Sequence, residues 1–156
     1  MKSASKSKAS PADAQVVMQL YEIRREPEMR KARNHMAMKF NPQSVEEMVQ
    51  VVGNFGEPEN AYFRQVTSYW DMAASLVRHG AVHQGLFLSW ATEMFFMWAK
   101  IQPYAAAYRK MVDSPTFMSN VEALVEGSKE GRECRAYFQD RIRKRLAAAR
   151  SSSAKA

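Results

Sequence analysis

A single cysteine, Cys134, stands in 156 residues, which excludes an internal disulfide and a cysteine-rich metal site. Such sparing use of cysteine fits a reducing compartment. The amino-terminal MKSASKSKAS lacks the apolar stretch of a signal peptide, so the expected location is cytoplasmic. Long hydrophobic runs are also missing. The most apolar stretch, LFLSWATEMFFMWA at 86–99, has 14 residues and carries Glu93 near its middle. A membrane span needs ~20 apolar residues, so a buried helix is the expectation. There is no Walker loop, nucleophile elbow or dinucleotide fingerprint. No strand alternation and no internal repeat occur. No motif asks for a cofactor or a metal, and none is expected.

What is present is helical core material. Hydrophobic residues make up 46% of the chain and charged residues 25%, as in a soluble globular protein of one domain. Eleven methionines and fourteen Phe and Tyr residues supply soft and bulky packing groups. All three tryptophans, Trp70, Trp90 and Trp98, lie within 61–112, and they are expected to pack together inside. The fold expected is an all-α, single-domain bundle of about six helices, kinked near Pro27 and Pro103, where proline interrupts the backbone ladder.

Along the chain, residues 1–10 read as a disordered basic tail. Residues 11–131 form the bundle, 132–150 a basic C-terminal helix packed partly on it, and 151–156 a second disordered tail. Ser44 with Glu47 reads as a capping box, and GNFGEPEN, 53–60, as a loop. From about Glu59 to His79, Arg64, Ser68, Asp71, Ser75 and Arg78 form one narrow polar stripe on an otherwise apolar helix. Gly80 follows as its left-handed cap. One helix is expected over 83–112, and another after Ser114-Pro115, with the serine as cap.

The stretch 60–109, from NAYFRQV through SYWDMAASLVRHGAVHQGLF to WAKIQPYAAAYR, resembles an uncharacterised family of bacterial helical domains of unknown function. The similar features are Trp70-Asp71, the Leu76-Val77-x-x-Gly80 turn, an aromatic helix, Pro103 and Arg109. LYEIRREPEMRKARN, 20–34, belongs to the same pattern. The resemblance implies an all-helical fold and no particular activity.

Few residues offer chemistry. Asp71 and Glu93 sit in the two most apolar helices, where a carboxyl group is driven up in pKa unless a cation offsets it. Arg33, Arg64 and Arg109 are the candidate cations, and the expectation is a structural pairing of Arg64 or Arg109 with Asp71 or Glu93. His79 and His83 have the spacing of paired metal ligands, but Gly80 breaks the helix between them, and His35 reaches them only through the fold. They read as a surface turn. Cys134 shares a helix face with Tyr137, Phe138 and Ile142 and reads as packed and inert.

Charge is the remaining signal. The chain carries +7, but residues 11–131 hold twelve basic against fourteen acidic residues, while the two ends together carry +9. Arg141, Arg143, Lys144 and Arg145 are the candidate polyanion-binding residues. Three readings follow. The first is a non-catalytic helical interaction or regulatory module with a protein partner. The second is a nucleic-acid-associated protein binding weakly through basic termini. The third is an enzyme with a pocket near Asp71 and Glu93.

Overall fold

The computed structural model describes residues 8–153; the outer parts of both expected tails lie outside them. The protein is all-α. Eight helices occur among the described residues: α1 (Pro11–Arg25), α2 (Pro27–Met38), α3 (Val45–Gly53), α4 (Pro58–Arg78), α5 (Gln84–Leu88), α6 (Thr92–Met111), α7 (Ser119–Glu126) and α8 (Lys129–Ser153).

Local chemistry sets most of the boundaries. Pro11, Pro27 and Pro58 each open a helix, where a missing N–H costs nothing. Ser10 and Asp13 cap each other's backbone at α1, so this part of the expected tail is anchored. At Pro27 the chain forms two helices, and the Glu26 carboxylate caps the second through Met29 N–H at 2.8 Å. Ser44 caps α3 by accepting from Glu47 N–H, while the Glu47 carboxylate accepts from Gln43 N–H, one residue beyond the expected box. Gly80, at φ +73°, ends α4 in the left-handed conformation that glycine tolerates best.

The helix count exceeds six because Pro27 separates α1 from α2 and because the expected helix over 83–112 is two. The Ser89 hydroxyl donates to the Leu86 carbonyl at 2.7 Å, a local bond that competes with helix continuation, and α6 restarts at Thr92. By contrast, α6 runs unbroken through Pro103. The carbonyl that Pro103 cannot serve is that of Ala99, and Gln139 of α8 donates to it at 3.3 Å.

The start of α7 also differs from the expectation at Ser114-Pro115. Asp113 and Met118 both adopt φ +50°, which breaks helical progression until Ser119. At the far end, α8 continues to Ser153, so residues 151–153 are helical where a tail was expected. Gly131 is buried where α8 meets α7; a Cβ there would collide with the Val125 carbonyl oxygen.

The core is centred on α4 and α6, with α2, α3 and α7 against α4 and α8 against α6. Trp70 and Trp98 are both fully buried, but the three tryptophans do not form one cluster. Trp90 is only half-buried. It lies beside Trp70 at 5.9 Å between ring centroids and edge-on to Phe87 at 5.3 Å. Trp98 instead donates its indole N–H to Glu126 of α7 at 2.8 Å. Tyr137, placed by the sequence on one packed face with Cys134 and Phe138, is 58% exposed; Phe138 takes the inward position and meets Phe96 at 5.7 Å.

Candidate functional site

The interior charges form three separate arrangements. The first is centred on Glu93, at the start of α6. Its carboxylate accepts from Arg33 Nε at 2.8 and 2.9 Å, from Arg33 Nη2 at 2.5 Å and from Arg24 Nη2 at 3.0 Å. Burial pushes the Glu93 carboxyl pKa up, but the two guanidinium groups outweigh it and hold the pKa below the ordinary glutamate range. Arg33 is held charged chiefly by the Glu93 hydrogen bond. Arg24 also lies over the Trp70 and Trp90 rings, at 5.2 and 5.5 Å. The expected partners Arg64 and Arg109 take no part, because α1 and α2 deliver arginines first. Arg24 was legible only as a basic residue before Pro27.

The second arrangement is Asp71, on α4. Its carboxylate accepts from Asn120 N–H at 2.9 Å, Val121 N–H at 3.1 Å and Asn120 Nδ2 at 2.9 Å. Met118 precedes α7 without a side-chain cap, so Asp71 supplies the cap from another helix. Arg109 holds the same connection from the other side. Its Nε and Nη2 donate to the Phe117 carbonyl at 2.9 and 2.8 Å, and its Nη1 pairs with Glu122 at 2.7 Å. Arg64 donates to Asn60 Oδ1 at 2.8 Å. Asp71 and Arg64 do line one cleft of about 610 Å³ with Thr67, Ser68 and Tyr108, but Glu93 and Arg109 do not. The expected four-residue constellation therefore does not assemble.

His79 and His83 serve helix ends. His79 Nδ1 meets the Ser75 carbonyl at 2.8 Å, and His83 Nδ1 accepts from Leu86 N–H at 3.1 Å. Among the described residues, no group of three metal-ligating side chains assembles. No helix among them is long and apolar enough to cross a membrane. Burial pushes the Cys134 thiol up, away from a reactive thiolate.

The third arrangement was missed by the sequence reading. Lys100 of α6 is 6% exposed. Its ammonium donates to the carbonyls of Met36, Ala37 and Phe40, at 2.7, 2.9 and 2.8 Å. Three carbonyls complete the donor capacity of one ammonium, and they belong to the end of α2, where the helix dipole favours a cation. Against that, burial, with Arg145 nearby, pushes the pKa down to about 7. The available signal was a lone lysine closing the run of apolar residues that begins at Leu86.

Lys100 is the floor of two clefts on either side of α8. The wider, about 520 Å³, includes Gln43, Gln102, Tyr104, Gln139, Arg143 and Arg150 in its lining. The narrower, about 370 Å³, is lined by Ala37, Asn41, Phe96, Lys100, Phe138, Arg141, Ile142, Arg145 and Leu146. Neither lining includes a carboxylate. The four basic candidates of α8 thus divide. Asp140 pairs with both Arg143 and Lys144, each at 2.6 Å. Arg141 contacts the Tyr137 hydroxyl at 3.2 Å and Arg145 the Met38 sulfur at 3.3 Å, both uncharged acceptors.

No curated protein and no solved structure matches the chain. A family model does match: residues 9–128, from just before α1 to the end of the α7–α8 turn, fit a domain of unknown function, DUF4760. The chain belongs to the DUF4760 family, and α8 follows the matched span.

Proposed function

We propose that the protein is a non-catalytic helical interaction module that engages an anionic partner through α8. One contrast carries this reading. The interior carboxylates Asp71 and Glu93 are spent on a helix cap and an arginine pair, whereas Arg141 and Arg145 rest on neutral acceptors at the surface. A guanidinium on a neutral acceptor keeps its full charge for an incoming anion and gives up little to meet it. The sequence concentrates charge in the same place, since residues 132–150 carry seven basic residues against two acidic ones.

The test keeps the helix and removes the charge. Arg141, Arg143, Lys144 and Arg145 are changed together to glutamine, and binding to poly-glutamate and to a double-stranded oligonucleotide is titrated against salt. The wild type binds weakly and loses affinity steeply as salt rises. The variant loses most of that binding at an unchanged melting temperature. Absence of wild-type binding to either probe at low salt overturns the reading and leaves α8 a solubilising helix.

A nucleic-acid partner is the second reading, favoured by exposed Tyr137 with the Arg141 guanidinium 5.7 Å from its ring centre. An aromatic face beside a cation suits an unpaired base and a phosphate. On that reading Tyr137→Ala weakens binding to a single-stranded oligonucleotide and leaves poly-glutamate binding unchanged.

A further inference from the structure

The narrower cleft beneath α8 has the chemistry of a small-molecule site. Its volume of about 370 Å³ lies within the ~300–1,000 Å³ typical of ligand pockets. One part is apolar: Phe96 and Phe138 meet edge to face at 5.7 Å, and Ala37, Ile142 and Leu146 complete the surface. The polar part is of one sign. Arg141, Arg145 and Lys100 border it, and no carboxylate does. Asp140 is committed to Arg143 and Lys144. Lys100 offers no free N–H, because three carbonyls take its donors. Direct contacts to a ligand therefore fall to the two arginines, one helical turn apart on α8. The wider cleft is a poorer fit: Arg143 there pairs with Asp140, which leaves one guanidinium on a neutral acceptor, Arg150 on Gln43 Oε1 at 2.9 Å, where the narrower cleft has two.

We propose that this cleft binds a small amphipathic anion, its charged head held between Arg141 and Arg145 and its apolar body against Phe96, Phe138 and Leu146. The charge complementarity selects an anion, and the aromatic and aliphatic floor selects one with a hydrocarbon body over a bare inorganic ion. The proposal goes beyond the interaction reading, since it assigns a small ligand to a recess rather than a macromolecule to a surface. The two share arginines, so the same helix would report ligand occupancy to a partner.

Calorimetric titration of the full chain with sodium decanoate, decanol and inorganic phosphate tests it. Decanoate is expected to saturate one site, with decanol at least tenfold weaker and phosphate giving no saturable heat. The double variant R141Q/R145Q loses at least tenfold in decanoate affinity with its melting temperature kept. Leu146→Ser, at a half-buried position, weakens decanoate binding as well. Lys110→Gln, exposed on α6 and outside the lining, leaves it unchanged. Equal binding of decanol and decanoate, or of the double variant and wild type, overturns the proposal. A protein that binds poly-glutamate but not decanoate fails this inference alone; one that binds decanoate but no polyanion fails only the interaction reading.

Discussion

At the scale of single residues, a side chain's worth follows from how completely its surroundings replace water. Trp70 is fully enclosed, and Trp90 is half-buried against it. Trp70→Ala is therefore expected to cost about 3–5 kcal/mol, the usual range for emptying a large core site, and Trp90→Ala clearly less. Denaturant midpoints of the two variants check the order. Lys100 gives a different signature. Its folded pKa is near 7 against an ordinary 10.5. Between those values the unfolded chain holds a proton that the folded chain has released, so this group makes stability rise with pH across that window. Lys100→Met removes the effect. The wild-type stability advantage over the variant should grow from about pH 6.5 to about pH 9.5, measured by urea unfolding; an advantage that stays level or shrinks with pH contradicts it. These residues also show what the sequence conceals. Glu93 was recognisable as a carboxylate needing a cation, but its distance along the chain from Arg24 and Arg33, 69 and 60 positions, left the choice among arginines to the tertiary fold.

Among elements, the helices that carry their own start signals were legible, and those that borrow them were not. Ser44 marks the start of α3 and Gly80 the end of α4 where the sequence places them. The start of α7 was misplaced because its cap, Asp71, is an element away, and because two left-handed residues intervene. Asp71→Ala is expected to destabilise the protein by about 1–2 kcal/mol, the cost of losing a helix cap, and to speed amide exchange selectively in residues 119–123. Uniform exchange across all helices would show that α7 does not depend on this cap. The break between α5 and α6 was equally hidden, since 86–99 reads as one apolar run and only the Ser89 hydroxyl marks the turn. Gly131 lies inside α8, and its close approach to the Val125 carbonyl needs the packed pair α7 and α8. Gly131→Ala should therefore force these helices apart and lower the melting temperature, despite alanine's better helix propensity.

For the whole molecule, the all-helical class was readable because hydrophobic spacing is a local property, whereas the clefts beside α8 are products of assembly. Lys100 lies 45 residues before Arg145, and α2's end lies earlier still; nothing in spacing alone joins them. The division of the basic cluster was likewise unreadable until the helix placed Asp140 beside Arg143 and Lys144. One feature of this assembly bears on the order in which the chain acquires its shape. Proline leaves the Ala99 carbonyl without its helical donor, and the replacement arrives from Gln139, 40 residues later. On a ribosome, α6 is synthesised before that amide exists. Its middle turn must then rely on water until α8 arrives, and a segment synthesised later completes a bond on α6. A chain ending after residue 128 should show a protease-sensitive α6, and the full chain should protect it.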